Sequence, residues 1–306
     1  MINNISKTSM LALLISTGSV YAGSMGAIDD KPARNLYFGA FGGWTSFFNT
    51  SISQSAVAYN RIGEHFQGHS TATTENYDLF VNVDGKVDSN IGGLAGLHAG
   101  YKLNEMRIGN GSNWELQPAV ELEGYYLGTK MGGILSNPQL EPSILDNGEV
   151  SSSHSIGPEL HVFSNSFNSN MGVFLANAVF TFKSPNVNKI LPFIGGGIGV
   201  AYNSISEANS AQIGPYTEYS PYINHFNSDT SVSSTNFAAQ GKAGLRAELT
   251  EHISLFGQYM YLYVSPSSYT FGNTNYPNEH VATTDWKVRL GSMGVQSAVF
   301  GIDYLC

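Results

Sequence analysis

The connections along this chain run long, short, long, short without exception, and they separate stretches in which apolar residues fall on every second position. Few folds accept that order. In WELQPAVELEGYYLG, Trp114, Leu116, Pro118, Val120, Leu122, Gly124 and Tyr126 occupy one phase. Glu115, Gln117, Ala119, Glu121, Glu123 and Tyr125 occupy the other. Period two is the signature of a β-strand with two different faces. A half-buried strand of a soluble sandwich alternates in the same way, so one such stretch does not decide the fold. Repetition and length decide it. Similar stretches run over Leu36 to Phe47, Ile91 to Leu103, Met171 to Lys183, Ile190 to Tyr202, Phe237 to Leu249, Ile253 to Val264 and about Trp286 to Cys306. With the carboxylate stretch these make about eight strands of the length that a tilted strand needs to cross a bilayer.

Residues 48–90, 127–170, 203–236 and 265–285 form the long connections, rich in Ser, Asn and Thr, and 104–113, 184–189 and 250–252 form the short ones. Transmembrane barrels sort their loops this way, with short periplasmic turns and long extracellular loops. The expected fold is therefore all-β: an eight-stranded antiparallel up-and-down transmembrane β-barrel over residues 35–306, with four long extracellular loops. Composition agrees. Charged residues are 12% of the chain, about half the usual share, and aromatics are another 12%. No stretch of about 18 apolar residues follows the N-terminus, which excludes a helical membrane protein.

The opening MINNISKTSMLALLISTGSVYAG has Lys7 ahead of a short apolar core and Val20-Tyr21-Ala22 at the positions a signal peptidase reads. Residues 1–22 are expected to be a cleaved signal peptide and 23–34 an N-terminal periplasmic segment, which implies export to a Gram-negative outer membrane. The single cysteine, Cys306, allows no internal disulfide. A closed sheet stabilises itself by pairing every backbone group instead. The net charge of −9, with no cluster of Lys and Arg, excludes nucleic acid as a partner.

An eight-stranded barrel has a lumen just wide enough to be filled by side chains. Lys102, Glu115, Glu121, Glu123, Lys183, Lys242, Arg246 and Asp303 fall on inward phases and are expected to form a structural polar network there, which His98 can join. Trp44, Trp114, Tyr126, Tyr202, Tyr259, Tyr261, Tyr263, Trp286 and Tyr304 are candidates for interfacial girdles. No catalytic, cofactor or metal site is expected. His65 and His69 stand four apart, a zinc spacing on a helix, but Gly68 and a polar loop surround them. His252 and Ser254 share a strand face as a hydrolytic pair would, yet lie at a short turn. The long connections carry Val57, Tyr59, Phe66, Tyr216, Tyr219, Tyr222, Tyr269, Phe271 and Tyr276, aromatic-rich contacts suited to proteins or glycans.

Three stretches resemble the opacity and OmpA-like family of small outer-membrane barrels: LPFIGGGIGVAY, GKAGLRAELTEHISLFGQYMYLY and the closing VFGIDYLC. The resemblance implies eight strands, both termini in the periplasm and variable loops outside the cell. It also implies that Phe300, Ile302, Tyr304 and Cys306 form the strand read by the barrel-assembly machinery, with Cys306 standing where the family usually has an aromatic. The function expected is that of a non-enzymatic surface barrel, structural or adhesive. Its partners would be outer-membrane lipid, the assembly machinery and host or environmental surface molecules. The alternative is a small porin-like pore, and after it a lipid-modifying barrel enzyme.

Overall fold

A computed structural model describes residues 35–59, 78–89, 91–109, 114–137, 143–146, 149–151, 161–184, 189–214, 223–276 and 282–306. The signal and N-terminal segments, His65, His69, Phe66, Tyr216, Tyr219 and Tyr222 lie outside the described residues. Every regular element described is a strand: β1 (Leu36–Phe47), β2 (Thr50–Ala58), β3 (Asp78–Ser89), β4 (Gly92–Lys102), β5 (Met106–Arg107), β6 (Glu115–Ser136), β7 (Ser143–Asp146), β8 (Glu149–Ser151), β9 (Val162–Lys183), β10 (Ile190–Gly214), β11 (Val232–Glu248), β12 (Ile253–Val264), β13 (Ser267–Phe271), β14 (Trp286–Leu290) and β15 (Met293–Leu305).

Eight of these close a ring. β1 pairs β4, β4 pairs β6, and the order continues through β9, β10, β11, β12 and β15, which returns to β1, each pair antiparallel. Tyr37 opposite Leu305 and Trp44 opposite Ala298 fix the closing register. Closure leaves no open edge in the ring, which is what allows a sheet to sit in hydrocarbon. The outer face of the ring is apolar: Phe38, Leu97, Val120, Leu122, Phe174, Ile194, Ile198, Leu245, Leu255, Phe300 and Ile302 all point out and are exposed. Trp44, Trp114, Tyr126, Tyr202, Tyr259, Tyr261, Tyr263 and Tyr304 are exposed on that face as well. A closed antiparallel ring with an apolar exterior is a transmembrane β-barrel.

The long connections, expected as loops, are largely strand over their described residues. β1 continues into β2, β3 into β4, β12 into β13 and β14 into β15, and β6, β9 and β10 run on for 22, 22 and 25 residues. The order β13–β14–β2–β3–β6–β9–β10 repeats the ring order one storey higher, at the end carrying the long connections. Between β13 and β10 the wall is completed by residues 223–231. There the Gly272 amide donates to the Asp229 carbonyl at 2.9 Å and the His225 amide to the Ser210 carbonyl at 2.9 Å.

Two apolar cores therefore stack inside one wall. The first holds Phe41, Leu127, Met171, Val173, Met260, Leu262, Val295 and Val299. The second holds Ile52, Val83, Leu135, Phe163, Phe226, Tyr269, Phe271, Trp286 and Leu290. Three expectations change here. Trp286 is no girdle residue: it is 1% exposed. Its indole donates to Thr274 Oγ1 at 3.0 Å, and its ring packs on Phe163, His225 and Phe226. Tyr269 and Phe271 are core residues of the second storey rather than loop contacts. Each falls on the inward phase of a strand, where burial rather than recognition selects an aromatic side chain.

Candidate functional site

The strongest concentration of chemistry lies inside the ring, within the short-turn half of the first core. Strand register places it. His98 stands opposite Glu123 across β4 and β6, Glu121 opposite Asn177 across β6 and β9, and Lys242 opposite Gly195 across β10 and β11. All of these side chains project inward because they share one phase with the buried neighbours on their strands.

A lumen this narrow holds charged side chains only where something opposite is small. Glycines supply that space. Gly39 faces both Asp303 and His98 in register, Gly100 faces Glu121, and Gly197 faces Asn177. A Cβ on Gly39 would fall onto the His98 ring and the Asp303 carboxylate, and one on Gly197 onto the Asn177 amide.

The Lys242 ammonium sits between two carboxylates, pairing with Glu121 and with Glu123 Oε2 at 2.6 Å. Asn177 Nδ2 donates to Glu121 at 3.2 Å and to Glu123 at 3.0 Å. Tyr37 donates its hydroxyl to Glu121 at 2.9 Å, Gln240 Nε2 donates to Glu123 at 3.1 Å, and Tyr125 donates to Gln240 at 2.9 Å. Beside this group Asp303 pairs with His98 Nε2 at 2.7 Å and with Arg246 Nη2 at 2.9 Å. The Arg246 guanidinium also lies over the rings of Tyr37 and Phe193, at 5.7 and 5.3 Å. Charges buried this deeply are held only if paired and hydrogen-bonded together.

Of the eight polar residues that phase alone places in the lumen, Glu121, Glu123, Lys242, Arg246 and Asp303 meet in this buried group. Lys102 is half-buried, 6.0 Å above the Tyr37 ring. Glu115 and Lys183 stand apart at the short-turn rim. Lys183 pairs with Glu105 at 2.5 Å, and Arg107 lies 3.9 Å from Glu115. Their phase is inward, but they end their strands, where the lumen opens to water. The Lys183 hydrogen bond holds the Glu105 carboxyl below the usual carboxylate range, although partial burial opposes it. Tyr37 and Asn177 join the network without having been singled out in the sequence. Their signal was available: each is on the inward phase, and Asn177 is a lone amide between Leu175 and Val179.

His252 engages the Leu305 carbonyl through Nδ1 at 2.9 Å, and its ring stacks on Tyr304. Cys306 is free and exposed, its amide donating to the Leu36 carbonyl at 2.9 Å.

No protein-family model and no curated protein sequence matches the chain. Solved structures with some likeness include the outer membrane protein OprG from Pseudomonas aeruginosa, at 14% identity and a TM-score of 0.40, covering 88% of this chain and 96% of that one. The attachment invasion locus protein Ail of Yersinia pestis has 14% identity and a TM-score of 0.26, covering 86% of this chain and 99% of that one. The translocator domain of the autotransporter NalP from Neisseria meningitidis has 12% identity and a TM-score of 0.21, covering 89% and 88%. The barrel assignment rests on the closed ring of strand pairings and the apolar belt around it.

Proposed function

We propose that this chain is a non-enzymatic outer-membrane surface barrel with a structural or adhesive role, its short turns in the periplasm and its second storey outside the cell. The observation that carries the reading is the filled lumen. The ion-paired group and the first apolar core together fill the ring, so a solute entering the barrel meets buried, packed side chains. The second storey then serves as a rigid pedestal for the connections at its top. Outer-membrane lipid covers the apolar belt, and host or environmental surface molecules meet the exposed connections. Phe300, Ile302, Tyr304 and Cys306 lie on the lipid-facing phase of the closing strand and are the residues offered to the assembly machinery.

Liposome swelling tests this. Vesicles containing the folded protein are expected to stay impermeable to small sugars. Swelling at the rate of a single porin would overturn the reading in favour of a pore.

A further inference from the structure

Glu121, Glu123 and Asp303 face Lys242 and Arg246, and each of the five is at least nine-tenths buried. His98 lies among them, 6% exposed. Its Nε2 is held by Asp303 Oδ1 at 2.7 Å, which assigns the N–H to that nitrogen and leaves a lone pair on Nδ1. Nδ1 is buried without a hydrogen-bond partner among the described residues, and so is Asn177 Oδ1. A metal ion would use the lone pair.

We propose that His98, Glu121 and Glu123 form a buried divalent-cation site of the zinc class. One ring nitrogen and one oxygen of each carboxylate already lie within 4.8 Å of one another. Tetrahedral zinc with bonds of about 2.0–2.2 Å holds its ligand atoms about 3.3–3.6 Å apart, so side-chain shifts of roughly 1 Å complete the set. Asp303 supplies the outer partner that metal-ligating histidines commonly have, a carboxylate on the other ring nitrogen. Gly39, which faces both residues, leaves the room for that pair.

Several charged and polar groups face the site. β4 contributes His98, with Lys102 further out, β6 contributes Glu121, Glu123 and Tyr125, and β1 contributes Tyr37. β11 contributes Lys242 and Arg246, and β15 contributes Asp303. Lys242 is the group a dication displaces, because its ammonium occupies the space between the two carboxylates.

The test refolds the full chain in detergent with Zn²⁺, dialyses it, and counts zinc per chain by atomic emission, with heat-dependent gel mobility reporting the folded state. Wild type and a His65→Ala/His69→Ala variant are expected to retain one zinc each. His98→Phe, which keeps a ring in the same space, is expected to retain at least roughly tenfold less. If His98→Phe does not fold, Glu123→Gln decides, since it keeps the size and most hydrogen bonds of the original. Co²⁺ in place of zinc is expected to give visible d–d absorption in wild type and none in the ligand variants. The proposal is overturned if wild type holds no metal, if the ligand variants hold as much as wild type, or if the metal is lost with His65 and His69.

Discussion

Replacing Lys242 with Met removes the cation from between Glu121 and Glu123 while leaving a chain of similar length in the lumen. The two carboxylates keep their hydrogen bonds from Tyr37, Asn177 and Gln240 but lose the charge that offsets their desolvation. Removing one partner of a buried pair costs about 3–5 kcal/mol, because the other charge stays behind unpaired. With a urea dependence of about 3 kcal/mol per molar, the unfolding midpoint should fall by at least about 1 M. Tryptophan fluorescence of the protein in lipid vesicles reads that midpoint, and gel mobility of unheated samples counts folded chains independently. A triple variant, Lys242→Met with Glu121→Gln and Glu123→Gln, removes all three charges together and should recover most of the loss. A single variant within about 0.5 kcal/mol of wild type would refute the pairing described for these residues, as would a triple variant less stable than the single one.

Gly39→Ala places a methyl group on the His98 ring and the Asp303 carboxylate, and overpacking of this kind costs about 1–3 kcal/mol in the same urea assay. An unchanged midpoint would mean that the close approach is relieved by backbone movement. Glu105→Gln tests the rim. The folded carboxyl is held below its ordinary range by Lys183, so the pair stabilises the barrel above the unfolded pKa and ceases to do so as pH falls through the folded one. The variant should be slightly less stable than wild type at pH 7, by no more than about 1 kcal/mol for so exposed a pair, and the difference should vanish in acid. Cys306→Phe puts an aromatic at an exposed position on the lipid-facing phase and should leave the folded yield unchanged or higher. A variant that failed to insert into vesicles would show that this end is packed differently.

The bounds of β1 and β12 match the alternating apolar stretches residue for residue, because lipid outside and side chains inside impose opposite demands on successive residues. That contrast disappears in the second storey, which on the proposed orientation stands in water. β10 runs through Ser204, Ser206 and Ser210 with Ile205 and Ala208 as its few inward apolar residues, so its composition is that of a loop. Phase was legible for the charged residues, but height was not. Glu115 and Lys183 are inward like Glu121, and only the strand ends show that they stand where the lumen meets water. Nor does one sequence reveal which strands face one another across a lumen. The meeting of Lys242 with Glu121, 121 residues away, depends on the tilt and stagger of the whole ring.

The length of β10 has a consequence for reach. At about 3.3 Å per residue and a tilt of about 40°, its 25 residues climb roughly 60 Å, more than twice the apolar band of an outer-membrane barrel. On the orientation proposed above, the excess is a stiff mast, and whatever sits at its top is carried roughly 30 Å clear of the bilayer. Contacts made from that height need not thread between the sugars anchored in the lipid, and the ordering entropy of a long free loop does not have to be overcome at each encounter.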